Sequence, residues 1–221
     1  VREKHSRFFF NMQFATWEPF YNQILQDFGF SSARDEEGAH LLAELLQYSG
    51  DCRPSAEERI RGRKAVIFGN APSLDRELDA LPPMDAARIA ADGAAAVLLR
   101  RGIVPDVVVS DLDGPFPAIL EACQKKAIIV VHAHGDNLDA LAIYVPQLEN
   151  VIGTCQCRPS GGLYNFGGFT DGDRSVFLAV ELGASSIELV GFDFEDQSVT
   201  PRKRKKLAWA KRLIEIALSE K

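Results

Sequence analysis

Three aspartates stand at the ends of two short apolar runs. Asp92 follows ARIAA, and Asp111 and Asp113, spaced i, i+2, close the run DVVVSDLD before Gly114. A carboxylate at the rim of a buried element loses solvation and needs a partner. A basic side chain or water satisfies one such group. Three from converging loops are the donor set of a hard divalent cation, which takes oxygen ligands and keeps room for waters and substrate phosphates. Against this stands helix capping, since Asp is a favoured N-cap and both Asp92 and Asp111 precede helical stretches. Asp113 is left over after any capping, and the set is read as a divalent-cation site of Asp92, Asp111 and Asp113.

Other chemistry-bearing residues fall at equivalent places. VIFGNAPSL reads as a strand, a glycine turn and a helix start, in which Gly69, Asn70, Ala71, Pro72 and Ser73 let an anion approach the backbone. It lacks the Gly-Lys-Ser/Thr ending of a Walker loop and is not Gly-x-Gly-x-x-Gly, so a plain strand-to-helix turn competes equally. NFGGFTDGDRS, residues 165–175, is a glycine-rich loop free to fold over a ligand, with Arg174 as a fixed cation for polyphosphate and Asp173 as the capping alternative. His132 and His134, one residue apart after a buried strand, are expected to project to opposite sides, one toward a ligand and one structural. His132 and the nearby Asp136 are assigned to the nucleotide side. Asp193 follows the last apolar strand.

These positions require an element that brings strand ends together. KAVIF, ARIAA, DVVVS, AIIVV, NVIGT and SIELVG are six candidate strands, alternating from residue 64 with helical segments such as PFPAILEACQ and DRSVFLAVELG. Continuous apolar strands separated by helices predict an α/β fold, a mostly parallel, Rossmann-like sheet with helices on both faces. Ligands of such sheets bind beyond the carboxyl ends of the strands. Residues 1–60 read as a helical N-terminal extension and 61–221 as the catalytic domain. RFFF near the start reads as packing, and Val1 suggests a processed beginning. RKRKKLAWAKRLIEIALSEK is predicted as a docked amphipathic helix whose basic start either holds phosphates or, as the commoner case, is solvated.

Composition narrows the partners. A net charge of −6 argues against nucleic acid, whose binding is driven by Lys and Arg displacing counterions. Apolar runs such as AIIVV are far shorter than the roughly 20 residues of a membrane span. Four cysteines without a signal peptide suggest a reduced, cytoplasmic protein, and CQC at 155–157 has no second Cys pair or His at zinc-site spacing.

VIFGNAPSLD, IAADGAAAVLLRRGIVPDVVVSDLDG, VVHAHGDN, FGGFTDGDRSVFLAVELGASSIELVGFDF and KRKKLAWAKRLI together resemble the archaeal 6-hydroxymethyl-7,8-dihydropterin pyrophosphokinase family. ADGAA, GIVPD and SDLDG are more distantly similar to the thiamin pyrophosphokinase pattern, whose aspartates hold magnesium. Ala94, Ser110 and Gly114 depart from it and put thiamin in doubt. The resemblance implies attack of the pterin hydroxymethyl oxygen on Mg·ATP with loss of AMP, in tetrahydromethanopterin biosynthesis. It implies Mg2+ on the three aspartates. A carboxylate that accepts adjacent pterin donors is then expected at Asp193, held from a rigid strand end, or else in the glycine loop at Thr170, Asp171 and Asp173, with a homodimer left open. Two readings compete: a nucleotide-sugar glycosyltransferase, for which Asp111-Leu112-Asp113 is an Asp-x-Asp motif, and a phosphate-ligand sensor without catalysis.

Overall fold

The computed structural model describes residues 13–219, so the RFFF cluster lies outside the described residues. Six strands form one sheet: β1 (Lys64–Phe68), β2 (Ala87–Ala91), β3 (Val107–Ser110), β4 (Ile128–Ala133), β5 (Val151–Cys155) and β6 (Ser186–Val190), in the order β5-β4-β3-β2-β1-β6. Every pairing is parallel, so the sheet is wholly rather than mostly parallel. Val107, Val108, Ile128, Ile129 and Val66 are all at most 1% exposed, as continuous β-branched strands covered on both faces should be.

The helices are α1 (Phe14–Phe28), α2 (Ser32–Leu46), α3 (Arg53–Ile60), α4 (Leu74–Ala80), α5 (Ala94–Arg100), α6 (Phe116–Gln124), α7 (Leu138–Tyr144), α8 (Asp171–Glu181) and α9 (Pro201–Ser219). α8 packs against β1, β2 and β3 on one side and α9 on another. Its run Val176, Phe177, Leu178, Ala179 is buried all round, the mark of a helix enclosed on every side. Trp17, Tyr21, Ile24 and Leu42 of the N-terminal helices belong to the same contiguous core as the strands. Among the described residues no helix is long and apolar enough to cross a membrane.

The chain runs outward from β1 to β5 and returns to place β6 on the other side of β1. The order reverses between β1 and β6, which makes their carboxyl ends the switch point where open α/β sheets leave a crevice. A cavity of about 390 Å³ lies there, lined by Pro72, Ser73 and Arg76 from the β1 side and Asp193, Asp196 and Ser198 from the β6 side.

Candidate active site

The carboxyl ends of the neighbouring strands β2 and β3 bring Asp92, Asp111 and Asp113 together, with one carboxylate oxygen from each within 4.8 Å of the others. The backbone is bent to achieve this. Asp92 (φ 42°) and Leu112 (φ 66°) both occupy the left-handed region, which costs a non-glycine residue roughly 1–2 kcal/mol. Leu112 is 2% exposed and is pinned by the Ser110 hydroxyl, which accepts its N–H at 2.8 Å. The same hydroxyl donates to Asp92 Oδ1 at 2.7 Å. Gly114 completes the turn, for a Cβ there would lie 2.0 Å from Asp92 Oδ2. Glycine is therefore required by the carboxylate rather than by φ.

His134 supplies the nearest donor to the Asp111 carboxylate. Its Nδ1 accepts the Asp136 N–H at 3.2 Å, which leaves the proton on Nε2, 3.1 Å from Asp111 Oδ2. Asn137, buried, donates to the carbonyls of Asp111 at 2.7 Å and His132 at 2.8 Å and accepts the His134 N–H. It ties the β3 loop to the β4 loop. α2 braces the β4 loop from outside: Asp35 accepts the Gly135 N–H at 2.9 Å, and a Cβ at Gly38 would lie 2.8 Å from the His134 carbonyl oxygen. Ser110 and Asn137 are not among the residues expected at the site, and of the histidine pair it is His134, not the assigned His132, that reaches it. The one available signal was that Ser110 and His134 flank the aspartates at the same strand ends.

Charge in the cluster is unbalanced. Burial and the neighbouring carboxylates of Asp111 and Asp92 push Asp113 up to about 6. Burial also raises Asp92, partly offset by the Ser110 hydrogen bond. Asp111 is raised by burial too, but hydrogen bonds from His134 and Asp113 and the Arg174 charge prevail and hold it well below the usual range. Asp171, at the start of α8, is raised well above its ordinary value by burial and then by Asp111. Arg174 Nη1, 3.3 Å from Asp171 Oδ1, is the nearest protein cation to that carboxylate. Like charges so gathered favour a cation or protons, and an all-oxygen set fits a hard divalent ion such as magnesium.

The other expected residues are distributed differently. His132 and His134 do not diverge: residues i and i+2 of a strand share a face, and the rings lie 6.3 Å apart. His132 still belongs to β4, is 3% exposed and rests on Thr154 Oγ1 at 3.0 Å. Burial lowers its pKa and keeps it neutral, so the histidine at the carboxylates is His134. In the β1 loop, the Gly69 and Ala71 N–H groups are committed to the Val190 and Gly191 carbonyls and are not turned toward an anion. Asn70 lies against the β2 turn, where a Cβ at Gly93 would be 2.4 Å from Asn70 Nδ2. Pro72 and Ser73 face the switch-point cavity.

The 165–175 segment is no loose flap, since Phe166 to Phe169 are buried. Asp173 is fully buried, and its carboxylate accepts the N–H groups of Phe169 at 2.6 Å and Thr170 at 2.7 Å together with the Thr170 hydroxyl. This is the capping alternative, and it leaves neither side chain turned to a ligand. Asp136 is exposed and joins the site through its backbone. Asp193 is exposed, accepts the Glu195 N–H at 3.0 Å and lines the cavity.

Comparison with known proteins matches this arrangement to one family. The family model described as 6-hydroxymethylpterin diphosphokinase MptE-like matches residues 40–198. The chain is 44% identical over 218 residues to the 6-hydroxymethyl-7,8-dihydropterin pyrophosphokinase of Pyrococcus furiosus, covering 92% of this chain and 94% of the relative. The proteins of the same name from Methanothermobacter thermautotrophicus and Methanocaldococcus jannaschii are 43% and 40% identical, over 92% of this chain and 94% and 95% of theirs. With both ends of the sheet's rim inside the matched region, the chain belongs to the 6-hydroxymethylpterin diphosphokinase MptE-like family.

Proposed function

We propose that this protein transfers a diphosphate group from ATP to 6-hydroxymethyl-7,8-dihydropterin. The observation that carries the reading is the convergence of Asp92, Asp111 and Asp113 at the carboxyl-end rim of the sheet that also carries the switch-point cavity, in a chain of this family. The pterin hydroxymethyl oxygen forms a bond to the β-phosphorus. The bond from that phosphorus to the α,β-bridging oxygen breaks, AMP leaves with the electron pair, and the hydroxyl proton passes to a rim carboxylate or to water. Such a transfer asks for positioning and charge neutralisation rather than a side-chain nucleophile. Asp92, Asp111 and Asp113 would hold magnesium, which would supply neutralisation of phosphate charge. His134 and Ser110 orient two of these carboxylates. A place in tetrahydromethanopterin biosynthesis and a cytoplasmic setting agree with this chemistry and with four free cysteines.

The pterin is assigned to the switch-point cavity. A pterin presents adjacent N–H and amino donors that one carboxylate accepts in pairs. Asp173 is occupied by its cap and Asp171 faces Arg174; of the two acids that line the cavity, Asp196 accepts both the N–H and the hydroxyl of Ser198, at 2.8 and 2.6 Å, which leaves Asp193 as the better placed. Mass-spectrometric analysis after incubation with ATP, magnesium and either the reduced hydroxymethylpterin or thiamin tests the reaction. Diphosphorylated pterin together with AMP is the expected result. Diphosphorylated thiamin alone, or transfer of a single phosphoryl group, overturns it.

A further inference from the structure

His132 of β4 and Arg174 of α8 are buried, at 3% and 7% exposure. Among the described residues, His132 Nε2 and Arg174 Nε are the two buried side-chain nitrogen or oxygen atoms that no protein group meets with a hydrogen bond. Both side chains line one small cavity, and every residue around it is buried. Apart from these two its lining is apolar, except for Thr154 and the Cys155 thiol. The cavity leaves about 10 Å³ for the centre of a water molecule, which is about the least that holds one.

The hydrogen bonds around the pair fix what each atom needs. The Thr154 hydroxyl donates to the Val131 carbonyl at 2.9 Å, so its oxygen meets His132 Nδ1, 3.0 Å away, as an acceptor. Nδ1 therefore carries the ring proton. Burial keeps the ring neutral, which leaves Nε2 with a bare lone pair that must accept. Arg174 has the opposite need. Its Nη1 donates to Asp171 Oδ1 at 3.3 Å and its Nη2 to Gln156 Oε1 at 3.4 Å, and the remaining Nε–H belongs to a group that is always charged and must donate. An unmet donor on a buried charged group is costlier than one on a neutral group. An anion would suit the guanidinium but meet the Nε2 lone pair, and a cation would meet the guanidinium. The species that serves both atoms is neutral, both accepts and donates, and is no larger than water.

We infer that one buried water molecule accepts the Arg174 Nε–H and donates to His132 Nε2, and that His132 acts through it as a positioning residue for Arg174. Asn137 holds the carbonyls of both His132 and Asp111, and Arg174 holds Asp171 at the start of α8. The water therefore ties the guanidinium of α8 to the strand whose end is fastened to the carboxylate rim. This inference goes beyond the proposed diphosphate transfer and stands without it.

Two measurements on the unaltered protein test the site, and neither needs a variant to fold. Long-range proton–nitrogen NMR correlation of the histidine rings should show His132 protonated on Nδ1 alone. A crystal structure fine enough to place ordered solvent should show one water within hydrogen-bond distance of both His132 Nε2 and Arg174 Nε. A ring protonated on Nε2, or a dry cavity, overturns the inference. The positioning role is read from the exchange of Arg174 Nε–H with solvent, also by NMR. His132→Phe keeps a ring but puts a C–H where the acceptor stood, and exchange should quicken about tenfold or more, the factor for loss of one hydrogen bond to a charged group. His132→Gln offers an acceptor oxygen in its place and should restore most of the protection. Unchanged exchange in His132→Phe, or equal acceleration in the two variants, overturns the positioning role whatever their turnover.

Discussion

Two groups of acid lie on either side of the β4 loop, one buried and one at the partly exposed rim, and they are built on opposite principles. Asp35 of α2 is 3% exposed, and its two oxygens accept from Tyr21 Oη and Gln156 Nε2, both at 2.8 Å, and from the Gly135 N–H at 2.9 Å. Burial, and then this carboxylate, push the Tyr21 phenol far above its ordinary pKa, so it remains a donor. Asp92, Asp111 and Asp113 face one another instead, with Asp113 pushed up to about 6. A carboxylate whose lone pairs are all met by protein donors stabilises the fold. Carboxylates that raise one another's pKa do so at some cost to the fold and bind a cation in return.

That contrast breaks most sharply under substitution. Asp111→Asn and Asp113→Asn should each lower turnover on the order of 10²–10³-fold, the scale on which removing one electrostatic contact to a transition state is felt. The melting temperature should hold or rise in Asp113→Asn, because repulsion is relieved, and fall modestly in Asp111→Asn, whose carboxylate is held ionised by His134, Asp113 and Arg174. Asp35→Ala should do the reverse: it strands three buried donors and should cost roughly 3 kcal/mol or more of stability, read as a fall in melting temperature. Its turnover below the melting range should suffer less than that of Asp111→Asn. If Asp111→Asn melts earlier than Asp35→Ala, or keeps full activity, the division between the two groups is wrong.

Gly114→Ala sharpens the comparison from the backbone side. The added methyl meets the Asp92 carboxylate, the movable end of a side chain, rather than backbone. It should displace a ligand without deleting a charge. Magnesium affinity measured with a bound nucleotide should fall about 10–100-fold, as when a group orienting a metal ligand is lost. The melting temperature should change little, since Gly114 has no positive φ to relieve.

The sequence carries the second of these groups more openly than the first. All six strands were legible because parallel strands buried on both faces read as unbroken β-branched runs, and Asp92, Asp111 and Asp113 were legible because strand ends carry ligands in such sheets. Asp35, in the first turn of α2, carries no such signal. Its partners lie at Tyr21, Gly135 and Gln156, and no spacing rule connects them. The roles of His132 and His134 depend on where β4 stops, a boundary that composition does not fix. The Gly69 and Ala71 amides looked free because the β6 carbonyls that take them are about 120 residues away in the chain. Asp173 could be read as either cap or ligand, and only the packing of Phe169 decides. Local patterns identify groups able to do chemistry, and long-range pairing determines which of them are already engaged.

The smallest expected effect is a pH dependence confined to the unsatisfied group. Asp113 is raised from 3.8 to about 6 by burial and its neighbours. Its folded pKa exceeds its unfolded one, so the folded state holds this proton more tightly. The resulting stability is present in full below the unfolded value and is lost as pH climbs through about 6. A cation competes for the same oxygen, so magnesium affinity should fall as pH drops below about 6, while metal-free stability gains from the same protonation. Asp113→Asn removes that titration. Its residual magnesium affinity should therefore vary less between pH 5 and 7 than that of the unaltered protein, measured by calorimetry with α,β-methylene-ATP present. Asp35→Asn should leave the pH slope as it was, because that carboxylate neither faces the cation nor borders the three that do. An equal flattening in both variants would mean that the slope belongs to the protein as a whole, and the contrast between satisfied and unsatisfied acid would lose its functional meaning.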